Sequence, residues 1–432
     1  MRQMKDSGIE WIGEIPDGWN IGQIGHLYDE RKEKVSDRDY PPLSVTMKGI
    51  VPQLSTAAKT DAHDDRKLVK KGDFAINSRS DRRGSCGISS YDGSVSLINT
   101  ILCPQTEMNP QYYDWLFHST IFSDEFYKWG HGIVDDLWTT NWSDMKKIAV
   151  PLPTLEEQSR IAAYLDRQCS HIDNIIEKTK ASVEEYKKLR QAVITQAVTK
   201  GVRGDRAMKD SGIEWIGEIP EEWETTNVGR LCFVTKLAGF EFTKDMVNNI
   251  TEEGDVPIVR AQNIKMGRFI DNIKEFISLD ISNKLNRCAL DKKCILITFI
   301  GAGIGEVAIF ENKARYHLAP NVAKIVINEE YKDTITEEFL LFYLMSSSGQ
   351  EEVNKIKKAT AQPSLSMETI RSIKILIPSI DEQQEIAAYL DKKCTEIDTL
   401  ITKKEQFLTE LDTYKKSLIY EYVTGKKEVP QV

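Results

Sequence analysis

One glycine-rich stretch, FIGAG at 299–303, has the residue types of a loop that binds a nucleotide-like cofactor. Such a loop needs a following helix, whose N-terminal amide groups and tight glycine turn receive the ligand. Here the run GIGEVAIF follows, and it is rich in β-forming residues, as in the return strand of a hairpin. The sequence therefore favours a glycine-dependent turn over a cofactor site.

A second stretch, NPQY at 109–112, resembles the N-P-P-[FY] motif with which adenine methyltransferases hold the target amine, and FIGAG resembles their S-adenosylmethionine loop. The second proline is missing, and Pro110 is well suited to the first turn of the helix that follows. These two stretches leave one alternative open, a single-chain DNA adenine methyltransferase. The sequence contains no Walker A loop, H-E-x-x-H or G-x-S-x-G motif, so a binding function is favoured.

Three polar stretches carry side chains that could contact DNA. Arginine can pair bidentately with guanine or grip phosphate, and asparagine can read adenine. We predict DNA contacts from NSRSDRRGS, RAQNIKMGR and KIKKATAQPS through Asn77, Arg79, Ser80, Arg82 and Arg83, through Arg260, Gln262, Asn263, Lys265 and Arg268, and through Lys355, Lys357, Lys358 and Gln362. A net charge of −9 does not exclude this, because the blocks that hold these stretches carry nearly equal numbers of acidic and basic residues.

The chain is built as a tandem repeat. MKDSGIEWIGEIPDGW at 4–19 returns at 208–223 with two changes, and PTLEEQSRIAAYLD at 153–166 aligns with PSIDEQQEIAAYLD at 378–391. The offsets are 204 and 225, so the second intervening block is longer. The blocks show no obvious identity to each other. A repeated frame thus carries two different contents.

Each repeat ends in a long amphipathic helix. A proline and a capping box, Thr154 with Glu157 or Ser379 with Glu382, mark each start. Alternating spacings of three and four then predict a coiled-coil seam of two helices. Its members are Leu165, Cys169, Ile172, Ile176, Thr179, Val183, Tyr186, Arg190, Val193 and Ala197, and Leu390, Cys394, Ile397, Ile401, Lys404, Leu408, Leu411, Lys415, Leu418 and Tyr422.

Bulk properties restrict the class of protein. A chain of 432 residues can hold several domains, and no apolar run is long enough to span a bilayer. The seven cysteines are scattered without a C-x-x-C motif, which argues against a disulfide framework or zinc site. We therefore expect no bound metal and a cytoplasmic location.

Together these motifs resemble the specificity subunit of a type I restriction–modification enzyme. The resemblance covers the whole chain, through the two W-I-G-E-I-P segments, the two helix starts and TAQPSLS at 360–366. It implies an α+β fold with two mixed α/β target recognition domains, joined by two long antiparallel helices as a coiled-coil spacer with a pseudo-two-fold internal repeat. The expected division is 1–152 and 208–377 for the recognition domains, with 153–207 and 378–432 as the spacer helices.

The resemblance also implies a non-catalytic subunit that binds double-stranded DNA and two methylase subunits, with or without two motor subunits. S-adenosylmethionine, ATP and Mg²⁺ would then be bound by those partners and no cofactor by this chain. The residues expected near the methylase junctions are Glu157, Gln158, Ala162, Tyr164 and Asp166, and Glu382, Gln383, Ala387, Tyr389 and Asp391. A coiled-coil scaffold joining two protein-binding heads is a further alternative.

Overall fold

The computed structural model describes residues 2–54, 63–132, 138–359 and 364–430. Its contacts group into two units: unit 1 comprises Met1–Lys180 and Glu405–Val432, and unit 2 comprises Ala181–Lys404. Each unit therefore contains one variable block and a part of each long helix. The expected division treated the helices as segments of their own.

Unit 1 is mixed α/β. Its main sheet has four antiparallel strands in the order Cys86–Ile88, Phe74–Asn77, Asn99–Pro104, Tyr28–Glu30. A second sheet has the order Gly93–Val95, Arg66–Val69, Lys34–Val35, and the strands Leu43–Thr46 with Gly49–Pro52, Met4–Asp6 with Glu14–Pro16, and Asn20–Gln23 with Ala149–Leu152 form pairs. The helices of the block are Ile24–Leu27, Pro110–His118, Thr120–Lys128 and Trp142–Met145, with a 3₁₀ turn at Ser80–Arg82.

Unit 2 has the same general plan with more elements. One antiparallel sheet has the order Cys232–Lys236, Val322–Ile327, Cys294–Thr298, Val307–Phe310, and a mixed sheet has the order Phe276–Ile277, Val256–Val259, Tyr316–Leu318, Ala289–Leu290. The paired strands are Met208–Asp210 with Glu218–Pro220, Glu224–Asn227 with Lys374–Ile377, and Ile264–Lys265 with Arg268–Phe269. The helices of the block are Val228–Leu231, Gly239–Glu241, Leu279–Lys284, Glu337–Met345, Ser347–Ala359 and Met367–Ser372, with a π turn at Phe242–Met246 and 3₁₀ turns at Val247–Asn249, Ala261–Asn263, Asn286–Cys288 and Glu329–Tyr331.

Both blocks are closed in the same way. The strand that enters each block pairs with the strand that leaves it, Asn20–Gln23 with Ala149–Leu152 and Glu224–Asn227 with Lys374–Ile377. The exit strand leads directly into a long helix, so the pairing fixes where that helix begins.

Two long helices follow the blocks: we call Leu155–Lys200 the first long helix and Ile380–Val423 the second long helix. All twenty residues of the predicted seam are buried or half-buried. Its polar members find partners on the other helix, since Lys415 pairs with Asp173 in unit 1 (2.6 Å) and Arg190 pairs with Asp398 in unit 2 (3.0 Å). Within each unit the start of one long helix therefore lies beside the end of the other, which confirms the antiparallel pairing.

The sequence predicts helices over 111–129 and 337–356 and a strand over 68–76. The structure breaks both helices and divides the strand. Residues 111–129 and 337–356 each form two helices, interrupted at Ser119 and Ser346, where the backbone is extended. The Ser119 hydroxyl accepts a hydrogen bond from the amide of Phe122 and so starts a new helix. The segment 68–76 contains parts of two strands, Arg66–Val69 and Phe74–Asn77, which belong to different sheets and are separated by a turn in which Gly72 adopts φ = +90°.

We expect acidification to destabilise unit 2 through His317, the sole histidine between residues 181 and 404. The ring is fully buried beside the carbonyl oxygens of Leu318 (2.9 Å) and Leu285 (3.3 Å), and burial lowers its pKa. Below about pH 6.5 the unfolded chain gains a proton that the folded chain resists, so the unfolding free energy falls as pH falls, by at most about 1.4 kcal/mol per pH unit.

Hydrogen exchange of unit 2 amides at pH 7.5 and 5.5 measures this effect. H317Q should have a shallower pH slope than the parent chain. An equal slope in both proteins would contradict the assignment to His317.

Candidate functional site

The first tryptophan segment is fixed to the start of the first long helix by one cluster of three side chains. Trp19 is fully buried, and its indole Nε1 donates to Glu157 Oε2 at 3.0 Å. The guanidinium of Arg2 lies over the Trp19 ring, 5.4 Å from its centroid, and also pairs with Glu157. Glu157 completes the predicted capping box by accepting from the amide of Thr154 (3.4 Å). We call Arg2, Trp19 and Glu157 the first Arg–Trp–Glu cluster.

Unit 2 contains the equivalent residues in the same arrangement. Trp223 Nε1 donates to Glu382 Oε2 at 3.0 Å, and the Arg206 guanidinium lies 5.2 Å from the Trp223 ring centroid. Arg206 also pairs with Glu382 at 2.6 Å, and Glu382 is only 1% exposed. A buried carboxylate is costly unless it is paired, so Glu382 needs both the Arg206 guanidinium and the Trp223 indole as partners. These three residues are the second Arg–Trp–Glu cluster.

Each tryptophan segment also receives the end of a long helix. The chain turns at Gly425 (φ = +71°) in unit 1 and at Gly201 (φ = +78°) in unit 2, as helix C-terminal glycines do. The ammonium of Lys426 donates to the carbonyl oxygens of Ile12 (2.7 Å) and Glu14. Lys200 donates in the same manner to the carbonyl of Glu218. One frame, built twice, therefore holds each variable block.

The first polar stretch, 77–85, forms an exposed arginine loop at the end of the strand Phe74–Asn77. The side chains of Arg82 and Arg83 are 68% and 58% exposed. Arg83 pairs with Asp124 (3.1 Å) and lies over the Tyr127 ring, while Arg79 pairs with Asp81 (3.1 Å). Ser80 begins a 3₁₀ turn and is half-buried. The arginine forks are thus ordered at the surface, where they can meet an anionic partner.

Asn77 requires a correction. Its side chain is buried, and Oδ1 accepts from the backbone amide of Arg79 at 3.1 Å. The Asn77 side chain therefore stabilises the loop, and its amide group is not available to a base. Asparagine is a frequent turn residue for this physical reason, and the sequence pattern did not distinguish the two roles.

The second polar stretch, 260–268, combines a short turn with a hairpin. Gln262, Lys265 and Arg268 are exposed, and Lys265 lies 3.4 Å from Glu306. Arg260 is half-buried and pairs with Glu275. Asn263 is again a correction: it is 2% exposed, accepts from the amide of Arg260 (2.9 Å) and donates to the carbonyl of Ile270 (3.0 Å).

The third polar stretch is in part helical. Lys355, Lys357 and Lys358 lie on the helix Ser347–Ala359. Their side chains, and Gln362 with most of TAQPS, lie outside the described residues. The backbone of Ser364 bridges to Ile300, so this stretch returns beside the FIGAG loop.

The FIGAG and NPQY stretches have structural roles. FIGAG joins the antiparallel strands Cys294–Thr298 and Val307–Phe310, so a return strand follows it, as predicted. Asn109 caps the helix Pro110–His118 by accepting from the amides of Gln111 (3.0 Å) and Tyr112. Neither arrangement favours the single-chain methyltransferase. Within the described ranges, no group of three or more His, Cys, Asp and Glu side chains could hold a metal ion, and no helix has the length and apolar character needed to cross a bilayer.

A family model described as the type I restriction modification DNA specificity domain matches residues 16–185 and 220–410. The chain belongs to this family. Both matched regions run from a tryptophan segment, through a variable block, into a long helix. The repeat seen in the sequence is thus a repeat of the specificity domain.

The chain is similar to known specificity subunits over nearly its full length. The type I restriction enzyme MjaVIII specificity subunit of Methanocaldococcus jannaschii is 25% identical over 428 residues, which cover 96% of this chain and 94% of the relative. A chain solved in work on complex assembly and conformational transition of the type I restriction–modification system has a TM-score of 0.74 at 13% identity, with 96% and 99% of the two chains covered. The HsdS subunit from Thermoanaerobacter tengcongensis gives 0.51 at 15% identity, with 96% and 98% covered. The α+β fold and the function of a type I specificity subunit are therefore confirmed.

The structure also corrects the prediction of partner-binding residues at the starts of the two long helices. Five of the ten residues expected at partner junctions are buried in their own unit and offer no surface: Gln158, Ala162, Glu382, Gln383 and Ala387. The two glutamines replace missing backbone partners, since Gln158 Oε1 accepts from the amide of Asn109 (2.8 Å) and Gln383 Oε1 from the amide of Thr336 (2.9 Å). Their role is to join each helix start to its own block.

The other five expected junction residues reach the surface to different degrees. Asp166, Tyr389 and Asp391 are exposed, whereas Glu157 and Tyr164 are half-buried. Asp166 accepts a hydrogen bond from Trp115 Nε1 at 2.8 Å. Sequence reasoning missed Arg2 and Arg206, although both stand at the same distance before the repeated tryptophans.

Proposed function

We propose that each variable block of this specificity subunit reads one half of a bipartite, asymmetric DNA target, while the long helices set the unread gap. The observation that carries the proposal is the repeated frame. Two Arg–Trp–Glu clusters and two entry–exit strand pairs hold two blocks of different sequence in the same way. A frame built twice around different contents suits a subunit that presents two different reading surfaces.

We assign base and phosphate contacts to polar side chains of both blocks. In the first block these are Arg79, Ser80, Arg82 and Arg83, and in the second Arg260, Gln262, Lys265 and Arg268, with Lys355, Lys357, Lys358 and Gln362 from the third stretch. Supporting this assignment, the arginines of the first loop are held by acidic side chains and an aromatic ring without being buried. Partly preorganised guanidinium groups lose less freedom on binding.

Chemistry is assigned to partner subunits. Two methylase subunits would bind S-adenosylmethionine and methylate adenine in each half-site, and motor subunits, where present, would bind ATP and Mg²⁺. Tyr164, Asp166, Tyr389 and Asp391, on the outer surfaces of the helix starts, would face the methylases together with Glu157. The chain itself would bind no cofactor and reside in the cytoplasm.

A map of adenine methylation tests the function. The chain is co-expressed with the methylase subunit of its own restriction–modification system, and modified bases are read by single-molecule sequencing. We expect one two-part motif with a fixed gap, and replacement of residues 20–150 should change one half only. Methylation by the chain without any partner would contradict the proposal, as would no methylation with a folded partner present.

A further inference from the structure

The two units differ in an aromatic contact between their long helices. The repeat offset of 225 equates Tyr164 with Tyr389 and Ala197 with Tyr422. In unit 1 the Tyr422 ring packs on Tyr164, with 4.6 Å between the centroids and 3.2 Å between the hydroxyl oxygens. Tyr422 is only 5% exposed. Unit 1 therefore closes this position with its own aromatic ring.

Unit 2 has a cavity where that ring would lie. Ala197 replaces the tyrosine, and Tyr389 is left 39% exposed. The cavity has a volume of about 240 Å³ and is lined by Tyr389, Val193, Gln196, Ala197, Val202 and Arg203. A cavity of about 150 Å³ suffices to hold benzene, so an aromatic ring fits here.

The rim of the cavity in unit 2 also lacks an ion pair that is present at the equivalent place in unit 1. In unit 1 Lys427 and Glu421 form an ion pair of 2.7 Å beside the Tyr422 ring. Their equivalents in unit 2 are the uncharged Val202 and Gln196. Insertion of a ring in unit 2 thus requires no ion pair to be broken. At the edge, Arg203 is held by Glu385 through two hydrogen bonds of 2.9 Å, and its guanidinium can lie against a ring.

We propose that an aromatic side chain of a methylase subunit enters this cavity and packs on Tyr389, in the place that Tyr422 takes in unit 1. The inference rests on the proposed function and deepens it. It makes the two junctions unequal, because one is completed by this chain and the other by the partner. Aromatic anchors in preformed pockets carry much of the energy of protein interfaces.

The substitution A197Y tests the proposal by giving unit 2 the ring of unit 1. The chain of 432 residues is titrated with the methylase subunit of its own restriction–modification system, and the affinity and the methylase-to-chain ratio are read by native mass spectrometry. We expect about 30-fold weaker binding of one methylase and an unchanged second one. A181Y places the same substitution at an exposed position of the same helix and should bind as the parent does.

Tyr389 variants provide a second test that does not depend on how A197Y folds. Y389A removes one face of the cavity and should weaken the same methylase, whereas Y389F keeps the ring and should retain most of the affinity. Equal affinity in the parent, A197Y and Y389A would overturn the inference while the proposed function stands. If the parent chain binds no methylase, the proposed function itself fails. If A197Y instead disrupts self-association of the chain alone, a second copy is the occupant and the inference is wrong.

Discussion

Trp223→Ala will lower the unfolding free energy of unit 2 by about 4 kcal/mol, the range in which buried tryptophan truncations fall. The ring is fully buried, and its Nε1 donates to a carboxylate that is 1% exposed. Truncation therefore leaves both a cavity and Glu382 with one partner fewer. Trp223→Phe refills most of the cavity but removes the donor, so about 1.5–3 kcal/mol should be lost.

Because the chain has two units, hydrogen exchange is a better readout than a single melting temperature. Trp19→Ala is the matched control, since it makes the same change in the first Arg–Trp–Glu cluster. It should raise exchange in unit 1, whereas Trp223→Ala should raise exchange in unit 2. Unchanged protection of unit 2 in Trp223→Ala would show that the second cluster contributes little to stability.

The double substitution R82A/R83A will weaken DNA binding by the assembled complex about 100-fold, if each arginine contributes at least about 1–2 kcal/mol. Both side chains are exposed, so their removal should have little effect on folding. The loss should be largest at low salt, and the slope of log K against log salt should fall by about 1.8 when both arginines contact phosphate.

K70A/K71A is the matched control for this prediction. It removes the same charge from the same block, at the exposed turn that lies at the other end of the strand Phe74–Asn77. Fluorescence anisotropy measures the DNA affinity of both variants across a salt series, with a duplex that carries the motif found by the methylation map and with a scrambled duplex. If the two double variants lose equal affinity, net charge alone explains the effect and the loop has no special role.

Local sequence patterns correctly predicted the features of the fold that are determined by residues close together in the chain. Thr154 with Glu157 identified a helix start, Pro110 a first turn, and the seam from Leu165 to Ala197 a buried helix face, since spacing along the chain determines each of them. The helix breaks at Ser119 and Ser346 were missed. The signal was present, because serine is a preferred N-cap, but strong apolar periodicity on both sides concealed it.

The candidate site was less predictable, because its geometry depends on residues far apart in sequence. Glu157 and Trp19 are separated by 138 positions, and nothing near Glu157 indicates that its carboxylate receives an indole. Its appearance in a repeated helix start suggested a partner junction instead. Asn77 and Asn263 were misassigned for a related reason, because an asparagine that stabilises a turn and one that reads a base have the same local sequence.

The division of the chain has a consequence for its synthesis. Unit 2 is continuous, residues 181–404, but unit 1 needs residues 405–432 to complete the core around Tyr112, whose hydroxyl donates to the carbonyl of Val423 at 2.7 Å. On a ribosome, which delivers the N-terminal block first, that block cannot make this contact until Val423 has been added, whereas unit 2 uses no residue beyond 404. We therefore expect a chain that stops before residue 405 to leave the core of its first block incomplete and to be cut by proteases faster than the full chain.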